Sequence, residues 1–153
     1  MKLEDIIDAG LLAKMDAVGP EAKAAVVEVI GRYEEDDAWS VAQRLAYIAS
    51  YIKDEEAVIE SARAIGRYEG ETARGVALGL ADIASNIKDK EAVIESAKVI
   101  GRYEGEAARS VAQGLADVAN YTKGAVITAC ELVKISGSGV FDLLTGRDIA
   151  SIQ

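Results

Sequence analysis

The chain has 153 residues, half of them apolar, and a formal net charge of −9. Its length is that of a single domain, and its apolar fraction excludes a disordered chain. The acidic balance disfavours nucleic-acid binding, and the absence of histidine removes the commonest general base and the commonest zinc ligand.

The first predicted element is an amphipathic helix over Leu3–Val18. Its apolar side chains recur at helical spacing, so one face can cover the end of a core. Gly19 is expected to end this helix, and Pro20 fits the first turn of the next one. Residues 1–19 are therefore predicted to form an N-terminal capping helix.

The middle of the chain contains a string that is repeated at a constant interval. Ile-Gly-Arg-Tyr-Glu begins at Ile30, Ile65 and Ile100, and the interval is 35 residues each time. A fixed interval of about 20–50 residues is typical of stacked supersecondary units. Aligned without gaps, the three sequence units span 20–54, 55–89 and 90–124.

Each sequence unit contains two helical patterns. In the second unit they cover about Glu56–Glu69 and Thr72–Ile87, with apolar residues every three or four positions. Gly70 is expected to end the first helix in a left-handed conformation, and Asp89 to cap the helix that follows. The glycine of the repeated string would then lie inside the first helix, where it costs about 1 kcal/mol relative to alanine.

The C-terminal segment departs from the pattern. Ala125–Ile135 resembles the first helix of a fourth unit, and Val140–Leu144 and Asp148–Ile152 are predicted to be short closing helices. Residues 125–153 are interpreted as a partial repeat that caps the array, since terminal repeats must cover an otherwise exposed core. The whole chain, 1–153, is predicted to be one all-α domain, a short right-handed α-α superhelix (solenoid) of helical hairpins.

The units resemble a known class of repeat. Glu71–Ile83, followed by Glu91–Ile94, is similar to the short variety of HEAT-like repeat, in which an alanine–arginine pair opens one helix and "Ala-Val" begins its partner. The resemblance covers residues 20–124, and the first unit departs from it by carrying Trp39 where the others carry arginine. It implies an α-solenoid that serves as a protein-binding scaffold. It implies no catalytic residue.

The Arg-Tyr-Glu part of the repeated string has two interpretations. It forms either an aromatic and cationic strip that binds a partner, or a structural ladder. In the ladder each tyrosine packs on the next unit, while arginine and glutamate pair at the surface. Identity between units favours the ladder, because every junction between units poses the same packing problem.

Four positions on the second helix of each unit, spaced i, i+4, i+7 and i+11, diverge instead. They read Ser40, Arg44, Tyr47, Tyr51 in the first unit, Gly75, Gly79, Asp82, Asn86 in the second, and Ser110, Gly114, Asp117, Tyr121 in the third. We call these positions the divergent stripe. Packing demands in an array should be uniform, so we expect the stripe to be free of packing: either drifting solvent surface or a partner face.

Trp39 either caps the core against the N-terminal helix or anchors a partner. Tyrosine is over-represented in interfaces, which favours a partner face on the stripe. The predicted partner-binding residues are Trp39, Arg44, Tyr47, Tyr51, Asp82, Asn86, Asp117 and Tyr121.

The sequence offers no nucleophile–base pair and no metal-ligand spacing, so we expect no catalytic residue, metal or cofactor. We predict a non-enzymatic scaffold that binds a protein or peptide. The alternatives are a homodimer formed through alanine- and glycine-rich helices, and an enzyme or small-ligand binder that uses arginine, tyrosine and carboxylates. Cys130, the lone cysteine, is expected to be a buried hydrophobe. Acidic residues at the N-terminus and the lack of a long apolar run predict a cytoplasmic protein without membrane contact.

Overall fold

The computed structural model describes residues 2–152, and these residues form helices, turns and no strand. The prediction of an all-α fold is confirmed. After a 3₁₀ turn at Leu3–Asp5, the helices are α1 (Ala9–Val18), α2 (Pro20–Ile30), α3 (Glu35–Ile52), α4 (Glu55–Ile65), α5 (Gly70–Ile87), α6 (Lys90–Ile100), α7 (Gly105–Val118), α8 (Lys123–Ser136), α9 (Val140–Leu143) and α10 (Gly146–Ser151).

The N-terminal segment is not one helix, so the prediction over Leu3–Val18 is wrong there. Asp8 interrupts it because its carboxylate accepts a hydrogen bond from the Leu11 backbone N–H, at 2.8 Å, and thereby caps α1. The 3₁₀ turn before Asp8 still buries Leu3 and Ile7 against the core. Aspartate favours helix N-caps over helix interiors for this reason.

The first helix of each unit is shorter than predicted. α2, α4 and α6 end at the isoleucine that opens the repeated string, and the following glycine is the C-cap rather than an interior residue. Gly70 and Gly105 do have positive φ values, of +50° and +49°, but they begin α5 and α7 instead of ending the preceding helices. At the N-termini, Asp54 and Asp89 cap α4 and α6, which confirms the cap predicted at Asp89.

The helices pack in two rows. In one row α3 contacts α1 and α5, and α5 contacts α7; in the other, α4 contacts α2 and α6, and α6 contacts α8. Each helix also contacts its chain neighbour in the opposite row, and α9 and α10 lie against both α7 and α8. Between the rows runs one continuous core in which alanine is the commonest residue, so the helices can approach closely.

Tyrosine hydroxyls connect successive units. The hydroxyl of Tyr33 lies 2.9 Å from the Ile65 carbonyl oxygen and 2.8 Å from that of Tyr68, 35 residues away. Tyr68 makes the same pair of contacts with Ile100 and Tyr103. Tyr103 in turn donates to the Val133 carbonyl at 3.1 Å. The Ile65 and Ile100 carbonyls already accept backbone N–H groups, each at 3.0 Å, so the hydroxyl is a second donor there, while the Tyr68 and Tyr103 carbonyls lie in the turn after the helix.

These contacts, which we call the tyrosine ladder, confirm the structural interpretation of the tyrosines. The arginines behave differently from the prediction. Arg32 does not pair with Glu34: it donates to Glu28 at 2.9 Å and to the Gly66 carbonyl at 3.0 Å. Its side chain therefore also reaches the C-cap of the next unit's first helix.

Replacing Tyr33 by phenylalanine should lower the free energy of unfolding at neutral pH by about 1 kcal/mol, because a partly buried hydrogen bond is lost. Burial raises the pKa of Tyr33 from 10.0 to about 12. The unfolded chain therefore loses this proton first, and the contribution is present below pH 10 and disappears as the pH rises towards 12. Urea unfolding of the wild type and of Tyr33→Phe, measured as the pH rises from 10 towards 12, should show the difference between their free energies of unfolding becoming smaller.

The matched control for that measurement is Tyr51→Phe, which removes the hydroxyl of an exposed tyrosine. Its effect on stability at neutral pH should stay within about 0.5 kcal/mol. A Tyr33→Phe protein as stable as the wild type at neutral pH would contradict the ladder as a source of stability.

A carboxylate from the second unit caps the first. Glu55, the first residue of α4, accepts hydrogen bonds from the backbone N–H groups of Glu21 and Ala22, each at 3.1 Å, at the N-terminus of α2. Gly19, with φ of +144°, leaves the space for this carboxylate, since a Cβ at Gly19 would contact Glu55. The negative charge also suits the positive end of the α2 dipole.

Glu55→Ala should lower the free energy of unfolding by about 1 kcal/mol, the usual loss for a helix N-cap. Glu56→Ala is the control, because Glu56 is exposed in the same first turn of α4. Chemical unfolding of both variants measures the difference. Equal losses in the two proteins would show that the contact with α2 contributes nothing.

Candidate functional site

The predicted partner-binding residues lie on α3, α5 and α7 and in the turn after α7, all in one row of helices. Trp39, Tyr51 and Tyr121 are 56%, 42% and 49% exposed, so the alternative in which Trp39 caps the core is wrong. Asp82, Asn86 and Asp117 are exposed, while Arg44 and Tyr47 are half-buried. The row therefore presents most of these side chains to solvent.

Two glycines of the divergent stripe are buried, so the expectation that the stripe is free of packing is wrong at these positions. A Cβ at Gly79 would lie 2.9 Å from both the Cβ and the carbonyl oxygen of Ala112 on α7. A Cβ at Gly114 would overlap the ring of Phe141 on α9. Arg44 stands at the equivalent position of the first unit.

Gly79→Ala should therefore destabilise the protein by about 1 kcal/mol or more, because overpacking against backbone outweighs the better helix propensity of alanine. Gly75→Ala is the matched comparison on the same helix. A Cβ there would meet only the flexible side chain of Arg109, with Nε at 3.1 Å. This second variant should be neutral or more stable by up to about 1 kcal/mol. Thermal or urea unfolding measures the stability of both variants. A Gly75→Ala protein less stable than Gly79→Ala would contradict the close approach of α5 and α7.

The row is covered at both ends. Gln43 on α3 donates from Nε2 to the Ile6 carbonyl at 3.0 Å, so the N-terminal segment lies against α3. At the other end α10 begins beside α7. A Cβ at Gly146 would lie 3.2 Å from the Tyr121 ring and 3.3 Å from the Asp117 carbonyl. The open part of the row is therefore its middle, around α5.

A groove follows α5 in this open part, and we call it the α5 groove. It consists of two depressions, of about 280 Å³ and about 220 Å³, that share Gly75, Leu78 and Arg109. The first is completed by Ser40, Arg44, Glu71 and Arg74, and the second by Gly79, Asp82, Gln113, Ala116 and Asp117.

Only three of the predicted residues line the α5 groove: Arg44, Asp82 and Asp117. Trp39, Tyr47, Tyr51, Asn86 and Tyr121 lie outside it. Sequence reasoning missed Arg74 and Arg109, which it assigned to the repeat pattern because both units carry them. Leu78 lines both depressions and is an apolar residue with an exposed fraction of 42%, which only the structure reveals.

The charged groups of the groove are incompletely paired within the molecule. Arg44 makes no ion pair with any of residues 2–152, and Arg74 reaches Asp37 only at 3.8 Å. Arg109 lies 3.3 Å from the exposed Glu106. Burial raises the pKa of Asp82; Arg44 nearby opposes this shift and the negative charge of Asp117 adds to it. The groove thus holds charges that a ligand can still engage.

A larger depression, of about 540 Å³, lies between α2 and α4 in the other row. Its two arginines are engaged by the molecule itself: Arg32 pairs with Glu28, and Arg63 with Glu60, each at 2.9 Å. Volume alone favours this depression, but its cations already have partners. The α5 groove is therefore the better candidate site.

Other chemistry is not supported in the described part of the chain. No group of histidine, cysteine, aspartate and glutamate side chains among residues 2–152 is arranged to hold a metal ion. Cys130 is buried, as predicted, and burial raises the pKa of its thiol to about 11, so the thiolate is disfavoured. None of the described helices is both long and apolar enough to span a bilayer.

No protein-family model, no curated protein and no solved structure matches the chain. The resemblance to HEAT-like repeats therefore rests on the sequence of residues 20–124 alone. Any functional assignment depends on the α5 groove and on the packing of the helices around it.

Proposed function

We propose that the chain is a non-enzymatic scaffold, and that a protein or peptide partner binds along the α5 groove. One observation carries the proposal. The repeated tyrosines, such as Tyr33 and Tyr68, bond to the next unit inside the molecule, whereas the groove exposes Leu78 beside incompletely paired arginines. Exposed apolar and cationic groups on one open face are typical of interaction surfaces.

The scaffold is, in this proposal, a short right-handed α-α solenoid related to the HEAT-like repeats. The tyrosine ladder supports the stacking, because Tyr33 contacts Tyr68 and Tyr68 contacts Tyr103, each 35 residues ahead. The two rows of helices give such a solenoid two faces. The α5 groove lies in the row formed by the second helix of each unit.

Two features favour a polypeptide partner over a small molecule. The two depressions share Gly75, Leu78 and Arg109, so the candidate site continues along α5 from one depression to the other. The residues around them, including Leu78, Asp82, Gln113 and Asp117, are exposed rather than enclosed. A chain laid along α5 can contact both depressions without entering a cavity.

Site-specific photo-crosslinking tests this proposal. A benzophenone amino acid at position 78, on the groove, should link the protein to a partner in extracts of its source cells. The same amino acid at position 27 is the control, because Val27 is 41% exposed and lies on α2 in the other row. The expected result is a product from position 78 that is absent from position 27.

Two outcomes would count against the proposal. Equal products from the two positions, or none from either, would mean that the groove does not bind a partner selectively. A product that contains only this chain would instead support the homodimer alternative. Circular dichroism of both labelled proteins shows whether the helices are retained.

A further inference from the structure

On α5 itself the charge of the groove changes sign along the helix, from Arg74 in the first depression to Asp82 in the second. Arg44 on α3 borders the first depression and also acts electrostatically on Asp82. Arg44, Arg74 and Arg109 surround the first depression, which contains a single carboxylate, Glu71. The second depression contains Asp82 and Asp117. Arg109 lies between them, since it borders both. In a chain with 26 acidic and 17 basic residues, three arginines around one depression form a local cationic end.

The helix termini reinforce this separation. Arg74 and Arg109 lie at the fifth positions of α5 and α7, close to the N-terminal ends of both helices. The positive ends of two helix dipoles therefore lie on the same side as the arginines. An anionic group is favoured at this end of the groove, and a cationic group at the end with Asp82 and Asp117.

The distance between the two ends follows from helix geometry. Arg74 and Asp82 are eight positions apart on α5, which corresponds to a rise of about 12 Å at 1.5 Å per residue. Leu78 lies halfway between them and is 42% exposed. The groove therefore offers a cationic end, an apolar middle and an anionic end in a row.

We infer, building on the proposed function, that the occupant is an extended peptide segment with an acidic and a basic side chain four positions apart and an apolar one midway. An extended chain rises about 3.3 Å per residue, so four positions span about 13 Å and match the groove. Alternate side chains of an extended chain face the same way. The acidic, apolar and basic side chains at i, i+2 and i+4 therefore all face α5.

A nucleic acid fits the groove less well than a peptide. It carries only negative charge, which Asp82 and Asp117 repel at one end of the groove. An extended peptide with both charges satisfies both ends.

A phage-displayed library of random short peptides, selected on the immobilised protein, tests the inference. Peptides enriched on the wild-type protein should carry the acid and the base four positions apart with an apolar residue midway. The doubly substituted protein Asp82→Lys, Asp117→Lys should instead enrich peptides with acids at both positions, because the anionic end becomes cationic. This reversal identifies the groove as the binding site.

Binding of one enriched peptide, labelled with fluorescein, gives the magnitude. Arg44→Gln should weaken its affinity about two- to fivefold, as for loss of one exposed ion pair, and added salt should weaken it further. Arg102→Gln is the matched control, because Arg102 is exposed and lies outside the groove. It changes the net charge equally and should leave the affinity unchanged.

The outcomes separate the inference from the proposed function. Two results would overturn the inference while leaving a peptide-binding scaffold in place. One is enrichment of peptides that lack the charge pattern; the other is enrichment of the same peptides on the wild type and on the doubly substituted protein. No enrichment above an empty support would overturn both. Equal losses of affinity in Arg44→Gln and Arg102→Gln would show that the arginines act only through the net charge of the protein, and would refute their role in the groove.

Discussion

The connection between successive units depends on hydrogen bonds at the ends of the first helices. A tyrosine hydroxyl from one unit reaches carbonyl oxygens at or just after the end of the next unit's first helix, such as those of Ile65 and Tyr68. Because Tyr33, Tyr68 and Tyr103 each reach forward to the next first helix, the stagger between helices is set by hydrogen-bond geometry as well as by apolar contact. An interior rich in alanine specifies relative position weakly, since small side chains interlock little. The hydroxyls add direction to that packing.

The two rows of helices differ in the side chains that connect successive units. At the ends of the first helices, polar side chains bond to the next unit: Arg32 donates to the Gly66 carbonyl and Tyr33 to the Tyr68 carbonyl. In the row of second helices α5 and α7 approach closely at Gly79 and Ala112, and Arg44 on α3 makes no ion pair with any of residues 2–152. The tyrosine ladder and the proposed binding groove thus lie in different rows.

Local chemistry predicted much of the fold, and non-local contacts account for part of what it missed. The cap at Asp89 and the start of α2 at Pro20 depend on neighbouring residues and were predictable. The end of α4 at Ile65 was not: Gly66 is the C-cap, and the backbone N–H groups of Arg67 and Tyr68 donate to Ala64 and Ile65 in the turn. Gly114 was misjudged as a free position because its neighbour, Phe141, belongs to a different part of the chain. The groove residues Arg74 and Arg109 repeat between units, and only the structure shows that they border one depression.

The contact between Gly114 and Phe141 has a consequence for how such a chain can evolve. The aromatic ring occupies the space beside α7 that another second helix would need, and the N-terminal segment occupies the corresponding space beside α3. A unit added at either end of the row of second helices would have to displace the N-terminal segment or the ring of Phe141. Duplications are better tolerated in the interior, where a new copy meets the same surfaces as its parents. Each such insertion would lengthen the row of second helices by one helix and leave the N-terminal segment and α9 in place.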